Sequence, residues 1–360
     1  MVDAWMRREA LLSAVLCVCV AASGCTSIGA SRLKADQVDY ARALGEAKKR
    51  EILAAIVGIR FADSPAFLSV SQIIAAYTFD ATVGSTLSAG DTTQNFAAAN
   101  GSVSYSNHPT FTFTPTTGPA FAAAYIRPLS PALVLPLAES AIPIDLLLRI
   151  TAQSIGGLQN ANALGGPNAN GSVGFFELIQ ALRRLQLAGQ LNVESHDEDK
   201  GGGVYFTLGA TTSGESGQTS ADLALVRRLL KLSPKTKTYE VVYGQSAQRG
   251  ERIPMVTRSV LGILTDLGAQ ITVPDELVTR GSTKPTIGLI GVETRPTIVV
   301  NVGKKAPEDA YIDIRYGPSQ YWIDRGDFDS KYAFTVVQML MALAETNQDA
   351  KTPIVTIPAG

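Results

Sequence analysis

The sequence predicts an α+β fold, with mixed helices and mostly antiparallel strands after an N-terminal signal peptide. Three observations carry this. Apolar residues make up 46% of the 360 residues and charged ones 18%, enough to bury a core in one large domain or two ordinary ones. Period-two strand runs and helical runs follow each other irregularly, without the strand–helix alternation of a doubly wound sheet. The apolar run Ala10–Ala22 is shorter than the roughly 20 residues of a transmembrane helix and fits the apolar core of a signal peptide.

The elements follow in order. Ser27–Ala35 reads as a short tether. Asp36 caps a helix in which Val38, Leu44, Ile52, Ile56 and Ile59 keep helical spacing, with Glu46 and Arg50 as an i,i+4 pair. Its polar face, with Lys48, Lys49 and Arg50, has the charge to touch anionic lipid headgroups. Phe67–Asp80 alternates as a strand. Ala81–Asn107, rich in Gly, Ser, Thr and Asn, reads as hairpins with loose connections. Ser102–Tyr105 and Thr110–Thr114 are period-two runs on either side of Asn107-His108-Pro109, so a hairpin turning there is expected.

Gly118–Arg127 reads as a short helix. Pro128, Pro131, Pro136 and Pro143 then divide an apolar stretch, Leu129–Ile155, into two or three short buried helices. The Gly/Asn-rich connector Gln159–Ser172 marks a boundary between an N-terminal α+β region, 36–160, and a C-terminal one, 161–360. Beyond it come a helix at Val173–Ala188, paired strands at Leu191–Glu194 and Val204–Leu208, a helix at Ala221–Leu232 and a strand at Tyr239–Tyr243. A helix at Pro254–Leu267 follows, then strands at Thr297–Val302, Tyr311–Tyr316 and Gln320–Asp324. Asp329 or Ser330 caps a last, largely buried helix reaching about Thr346, and Pro353–Ile357 reads as an edge strand.

All three cysteines, Cys17, Cys19 and Cys25, lie in the first 25 residues, so the body has no thiol for a disulfide. Ala22-Ser23-Gly24-Cys25, at the end of the apolar run, resembles the lipobox of a bacterial lipoprotein precursor, with Ala22 where that class prefers Leu. The resemblance implies removal of the signal peptide 1–24 before Cys25 and a lipidated tether, 25–35. It implies a diacylglyceryl thioether on the Cys25 sulfur and an acyl group on its new amine. An Asp after the lipidated Cys favours inner-membrane retention in enteric-type sorting. Thr26 at that place implies a lipid anchor in the outer membrane, facing the periplasm. Asp3 and Glu9 cancel Arg7 and Arg8, whereas a start at Met6 gives a positively charged leader, so residues 1–5 read as an extension.

Three further segments are similar to a group of uncharacterised bacterial envelope lipoproteins: Ile56–Leu68 (IVGIRFADSPAFL), Pro109–Pro115 (PTFTFTP) and Tyr321–Asp327 (YWIDRGD). None is a catalytic signature. The resemblance implies one integrated lipoprotein architecture and no reaction.

The chemistry available is narrow. A formal charge of −1 offers no basic excess for nucleic acid. A Ser-His-Asp site needs a histidine, and His108 and His196 both sit in turns or loops. Gly244-Gln245-Ser246-Ala247-Gln248 lacks the second glycine of a nucleophile elbow, and Ser31-Arg32-Leu33-Lys34 lacks companion motifs. Asp197, Glu198 and Asp199, or Asp324, Asp327 and Asp329, supply oxygen ligands without the spacing of a calcium loop. Asp63 near Arg60, and Asp145 near Arg149, read as ion pairs. The helix 173–188 and the hairpin after it have the outline of a winged helix, which export and neutral charge turn away from DNA. The expected role is therefore structural, in assembly or protein interaction, without a cofactor, metal or catalytic residue. Ala81–Asn107 and the apolar Leu129–Leu148 are the expected contact regions with envelope partners. The alternatives are a carboxylate-dependent hydrolase of cell-wall or exopolysaccharide glycans, and a carrier of an apolar ligand.

Overall fold

The computed structural model describes residues 28–74, 77–90, 93–107, 110–140, 142–163, 170–196, 203–209, 217–245, 250–289 and 292–349. The fold is α+β, with mostly antiparallel strands and a single parallel pair among the described residues. Helix α1 spans Ile28–Arg60, so it begins eight residues before the expected start at Asp36. The segment read as a tether holds no Pro, and Ala30-Ser31-Arg32-Leu33-Lys34-Ala35 is built mostly of good helix formers. The C-terminal half of α1 is core: Ile52, Leu53, Ile56 and Val57 are buried.

After α1 the chain leaves the body as a long antiparallel ribbon. Its strands are β1 (Leu68–Ile74), β2 (Tyr77–Gly90), β3 (Thr93–Asn107) and β4 (Thr110–Pro115). β1 pairs with β4 from Leu68↔Pro115 to Ile74↔Thr110, and β2 with β3 from Tyr77↔Asn107 to Gly90↔Thr93. The chain therefore reverses between the paired residues Gly90 and Thr93, and the two ladders lie on either side of positions 107–110. This corrects the hairpin expected around Asn107-His108-Pro109. Pro109 has no N–H for a ladder, but Thr110–Pro115 pairs with a strand some forty residues upstream, which local alternation does not reveal.

The return strand leads into α2 (Gly118–Phe121), continued by one π-helical turn, Ala122–Ile126. Then come α3 (Pro131–Val134), a 3₁₀ turn at Leu135–Ala138 and α4 (Ile144–Thr151), with Ser130 accepting from the Ala132 N–H. The expected run of short buried helices is present, but Ala152–Ile155 is strand β5. Leu129, Val134, Leu135, Leu147 and Leu148 all face inward. The apolar segment expected as a contact surface is thus core, with Leu146 half-buried.

β5 and β6 (Leu158–Gln159) join β7 (Leu191–His196), β8 (Gly203–Leu208), β9 (Thr238–Tyr243) and β10 (Arg252–Thr257) in a six-stranded sheet ordered β6-β5-β10-β9-β8-β7. β9 and β10 are its parallel pair. β10 corrects the helix expected from Pro254: Ile253, Met255 and Thr257 alternate inward, and the helix starts only after Ser259, whose hydroxyl accepts from the Gly262 N–H. Helices α5 (Val173–Leu187) and α6 (Gly217–Leu230) pack together beside the sheet, and α7 (Val260–Ala269) crosses α1. The short α8 (Asp275–Thr279) escaped notice in the sequence.

A second sheet, ordered β11-β13-β12, uses Asn301–Gly303, Ser319–Ile323 and Ile312–Tyr316. The final helix α9 is Phe328–Asp349, with Asp327 as its cap: the Asp327 carboxylate accepts from the Ser330 N–H. Asp329 instead meets Arg295. One continuous core draws on α1, the short helices, both of these sheets and α9. The edge strand expected at Pro353–Ile357 lies outside the described residues.

Candidate functional site

The lipobox residues Ala22, Ser23, Gly24 and Cys25 lie outside the described residues, as do His108 and the acidic loop Asp197-Glu198-Asp199. The described structure instead draws attention to the ribbon and to the socket that holds it. Phe67, just before β1, is buried and stacks on the Tyr125 ring at 4.2 Å and 17°. Phe121 completes the aromatic cluster, 5.2 Å from Tyr125. Lys48 of α1 lies 5.8 Å above the Phe67 ring and bridges Glu51 at 3.1 Å and Glu345 at 3.2 Å. The Leu68 N–H donates to Glu51, and the Tyr125 hydroxyl donates to Glu345. Burial and the neighbouring Glu345 push the Tyr125 phenol well above its usual range, so it stays a donor. Helices α1 and α9 and the π-turn thus grip both strands of the ribbon at its root, where the Thr116 N–H also donates to the Phe67 carbonyl at 3.0 Å.

This arrangement turns the α1 lysines toward the body. Lys48 has two carboxylates, and Lys49 pairs with Glu46 at 2.9 Å while lying 4.6 Å over the Tyr311 ring. The expected headgroup contact loses two of its three cations. It also replaces the expected Glu46–Arg50 pair with Glu46–Lys49.

Beyond the socket, β2 and β3 pack on each other and form a sheet of their own among the described residues. Asp80, Thr82, Gly84, Asn100, Ser102 and Ser104 are exposed. Between Arg60 and Arg127 the chain has neither Lys nor Arg, and between Tyr77 and Asn107 its only charged residues are Asp80 and Asp91.

The body holds a cleft of about 400 Å³ between α4, α5 and the segment around Glu293 and Arg295. Three carboxylates line it, each facing an arginine: Asp145 with Arg183 at 3.8 Å, Glu293 with Arg149 at 2.5 Å, and Asp329 with Arg295 at 3.2 Å. Burial holds the Asp145 carboxyl above its usual range. A hydrolytic pair needs one carboxylate free to attack or activate water; Glu293 and Asp329 are each held by a guanidinium, while Asp145 Oδ1 lies 3.8 Å from Arg183 without a hydrogen bond. Behind it lies a buried polar network. Arg149 and Arg258 converge on Asp266, each at 3.2 Å, and Asn160 and Gln270 bond into the same cluster. The expected Asp145–Arg149 pair is therefore replaced by long-range partners. Likewise Asp63 accepts from the Tyr316 hydroxyl, and Arg60 donates to Thr286.

Among the described residues no group of three or more His, Cys, Asp or Glu is placed to hold a metal ion. Asp324 accepts from Trp322 and Asn301, and Asp327 from Arg295. His196 ends β7 with its ring 4.8 Å from that of Tyr205. No helix of the described residues is long and apolar enough to cross a membrane. No protein-family model matches the chain, and comparison with curated proteins and with solved structures finds no similar one. The ribbon was legible as alternation and low charge. The socket was not, because Lys48, Phe67, Tyr125 and Glu345 are far apart in sequence.

Proposed function

We propose that this chain is a lipid-anchored protein of the bacterial cell envelope, held to the membrane by acylated Cys25, with a role in assembly rather than catalysis. The observation that carries the reading is the ribbon: β2 and β3 are 14 and 15 residues long, with no third strand on either edge among the described residues. A long strand pair with open edges presents rows of backbone N–H and C=O groups, which pair readily with another chain. The rigid socket supports the same reading, because it fixes the base from which the ribbon projects. The arginines that hold Glu293 and Asp329 favour assembly over a hydrolytic carboxylate pair, and the inward packing of Leu129–Leu148 gives no support to a carrier.

Two measurements test it. In cells, Cys25→Ser is expected to leave an unprocessed precursor or release a soluble form; unchanged processing and membrane fractionation overturns the anchor. A photo-crosslinker at Thr82 or Ser102, on the ribbon, is expected to trap defined higher-mass species. Recovery of monomer alone from both positions overturns the assembly role.

A further inference from the structure

The ribbon's register divides it into two unlike faces. Because alternate residues of a strand share a face, Tyr77, Phe79, Ala81, Val83, Ser85 and Leu87 belong to one set. Their partners across the ladder are Asn107, Tyr105, Val103, Gly101, Ala99 and Ala97. The opposite set holds Thr78, Asp80, Thr82, Gly84 and Thr86, opposite Ser106, Ser104, Ser102, Asn100 and Ala98. The first set is apolar apart from Ser85 and Asn107, with its aromatics toward the root; the other is small and mostly polar, and its one charge is Asp80. The pattern holds over Tyr77–Leu87 and Ala97–Asn107, about 11 residues each, the length at which a tilted strand crosses a bilayer. Past it the tip, Ser88–Phe96, turns polar again, with Asp91, Thr92, Thr93, Gln94 and Asn95.

Resting on the assembly role above, we propose that residues 77–107 insert into a lipid bilayer as two strands of a β-barrel built jointly by several copies of this chain. The apolar set faces lipid, and Thr78, Asp80, Thr82 and Gly84 line a water-filled lumen. Three constraints require further strands on the open edges, and other copies of the chain supply them because each carries the same open-edged pair. A lone two-stranded ribbon is marginal in water. In hydrocarbon every backbone group needs a partner, so an open edge is excluded and only closure serves. Two strands cannot close, and the smallest membrane barrels have eight, so about four or more copies are required. The absence of Lys and Arg from Phe61 to Ile126 removes the residues most costly on a lipid face. Tyr77, Phe79 and Tyr105 stand at the root end, where a barrel carries an aromatic girdle.

The test uses the full acylated chain reconstituted in phosphatidylcholine–phosphatidylglycerol vesicles. Single cysteines at positions 79 to 87 carry an environment-sensitive dye, with the unsubstituted chain as background. The expected result is period-two alternation, odd positions reporting hydrocarbon and even ones water, together with cation-preferring conductance across planar bilayers of the same lipid. Val83→Lys is expected to abolish conductance. Thr82→Lys, one residue away, is expected to keep conductance and shift its preference toward anions, while Asp80→Asn weakens the cation preference. Uniform water exposure without conductance, while Thr82 still crosslinks in cells, overturns insertion and leaves the assembly role standing. Equal tolerance of Val83→Lys and Thr82→Lys in conductance overturns the assigned faces. Loss of crosslinking as well overturns both readings.

Discussion

Asp266 is the residue on which the most buried charge depends. Its carboxylate lies between the Arg149 and Arg258 guanidiniums, and all three side chains are at most 9% exposed. Removing the shared anion leaves Arg258 without a carboxylate and Arg149 with Glu293 alone, and breaking a buried pair in this way costs about 3–5 kcal/mol. Asp266→Ala is therefore expected to lower the urea midpoint sharply. Asp222→Ala should cost less, because the Arg184 side chain left behind is 44% exposed and water takes it up. Asp222 also has a pH signature. Hydrogen bonds from Arg184, against the opposing effect of burial, hold its carboxyl below the usual carboxylate range. Its stabilising effect is complete above the unfolded value of about 3.9 and is lost as pH falls through the lower native value. Asp222→Asn should flatten the acid limb of the stability curve; an unchanged limb would refute the assignment. None of these partners was legible in the sequence. Asp145 and Arg149 stand at pairing distance on one helix, but the arginine is claimed by Asp266 and Glu293, which arrive from more than a hundred residues away.

Among the elements, the ribbon and the α1–α7 crossing behave oppositely. Among the described residues β2 and β3 pack chiefly on each other, so replacing 77–107 with an Asn-Gly turn is expected to leave the melting temperature of the body within a few degrees while ending crosslinked assembly. A large drop in melting temperature would show that the ribbon supports the core. At the crossing, a Cβ on Gly268 would lie 2.8 Å from the Ile56 carbonyl oxygen, a backbone atom that cannot swing aside. Gly268→Ala should cost about 1–3 kcal/mol by forcing the helices apart. Alternation identified strands at Phe67–Asp80, Ser102–Tyr105 and Thr110–Thr114, yet it assigned the turn to the wrong place and read Ala81–Asn107 as loosely connected hairpins where one long pair stands. Period two specifies which residues share a face, not which strand lies opposite, and β1 and β4 pair although the whole β2–β3 pair lies between them in the sequence.

The whole molecule has one core crossing the Gly/Asn-rich connector at 159–172. β5 and β6 precede that connector but complete the sheet of β7–β10 beyond it, with β5 antiparallel to β10 from Met255↔Ile155. Fragments 36–160 and 161–349 are accordingly expected to remain unfolded separately by circular dichroism. The intact chain should unfold in a single transition; two separated transitions would contradict the shared core. The α+β class was legible because it needs only the mixture of periodicities. The position of Pro254 in a strand was not: its ring suggests a helix start, and burial of Ile253, Met255 and Thr257 against neighbouring strands outweighs that local preference.

The early start of α1 has one more consequence. With a lipid on Cys25, only Thr26 and Ser27 separate the anchor from a helix of 33 residues, about 50 Å long, whose far half is embedded in the core. The body is then mounted on a strut rather than a leash. Every copy would ride at nearly the same height above the bilayer, with its ribbon root at a common level. The search of one copy for another becomes a lateral one in a plane, with rotation about the strut as its main remaining freedom.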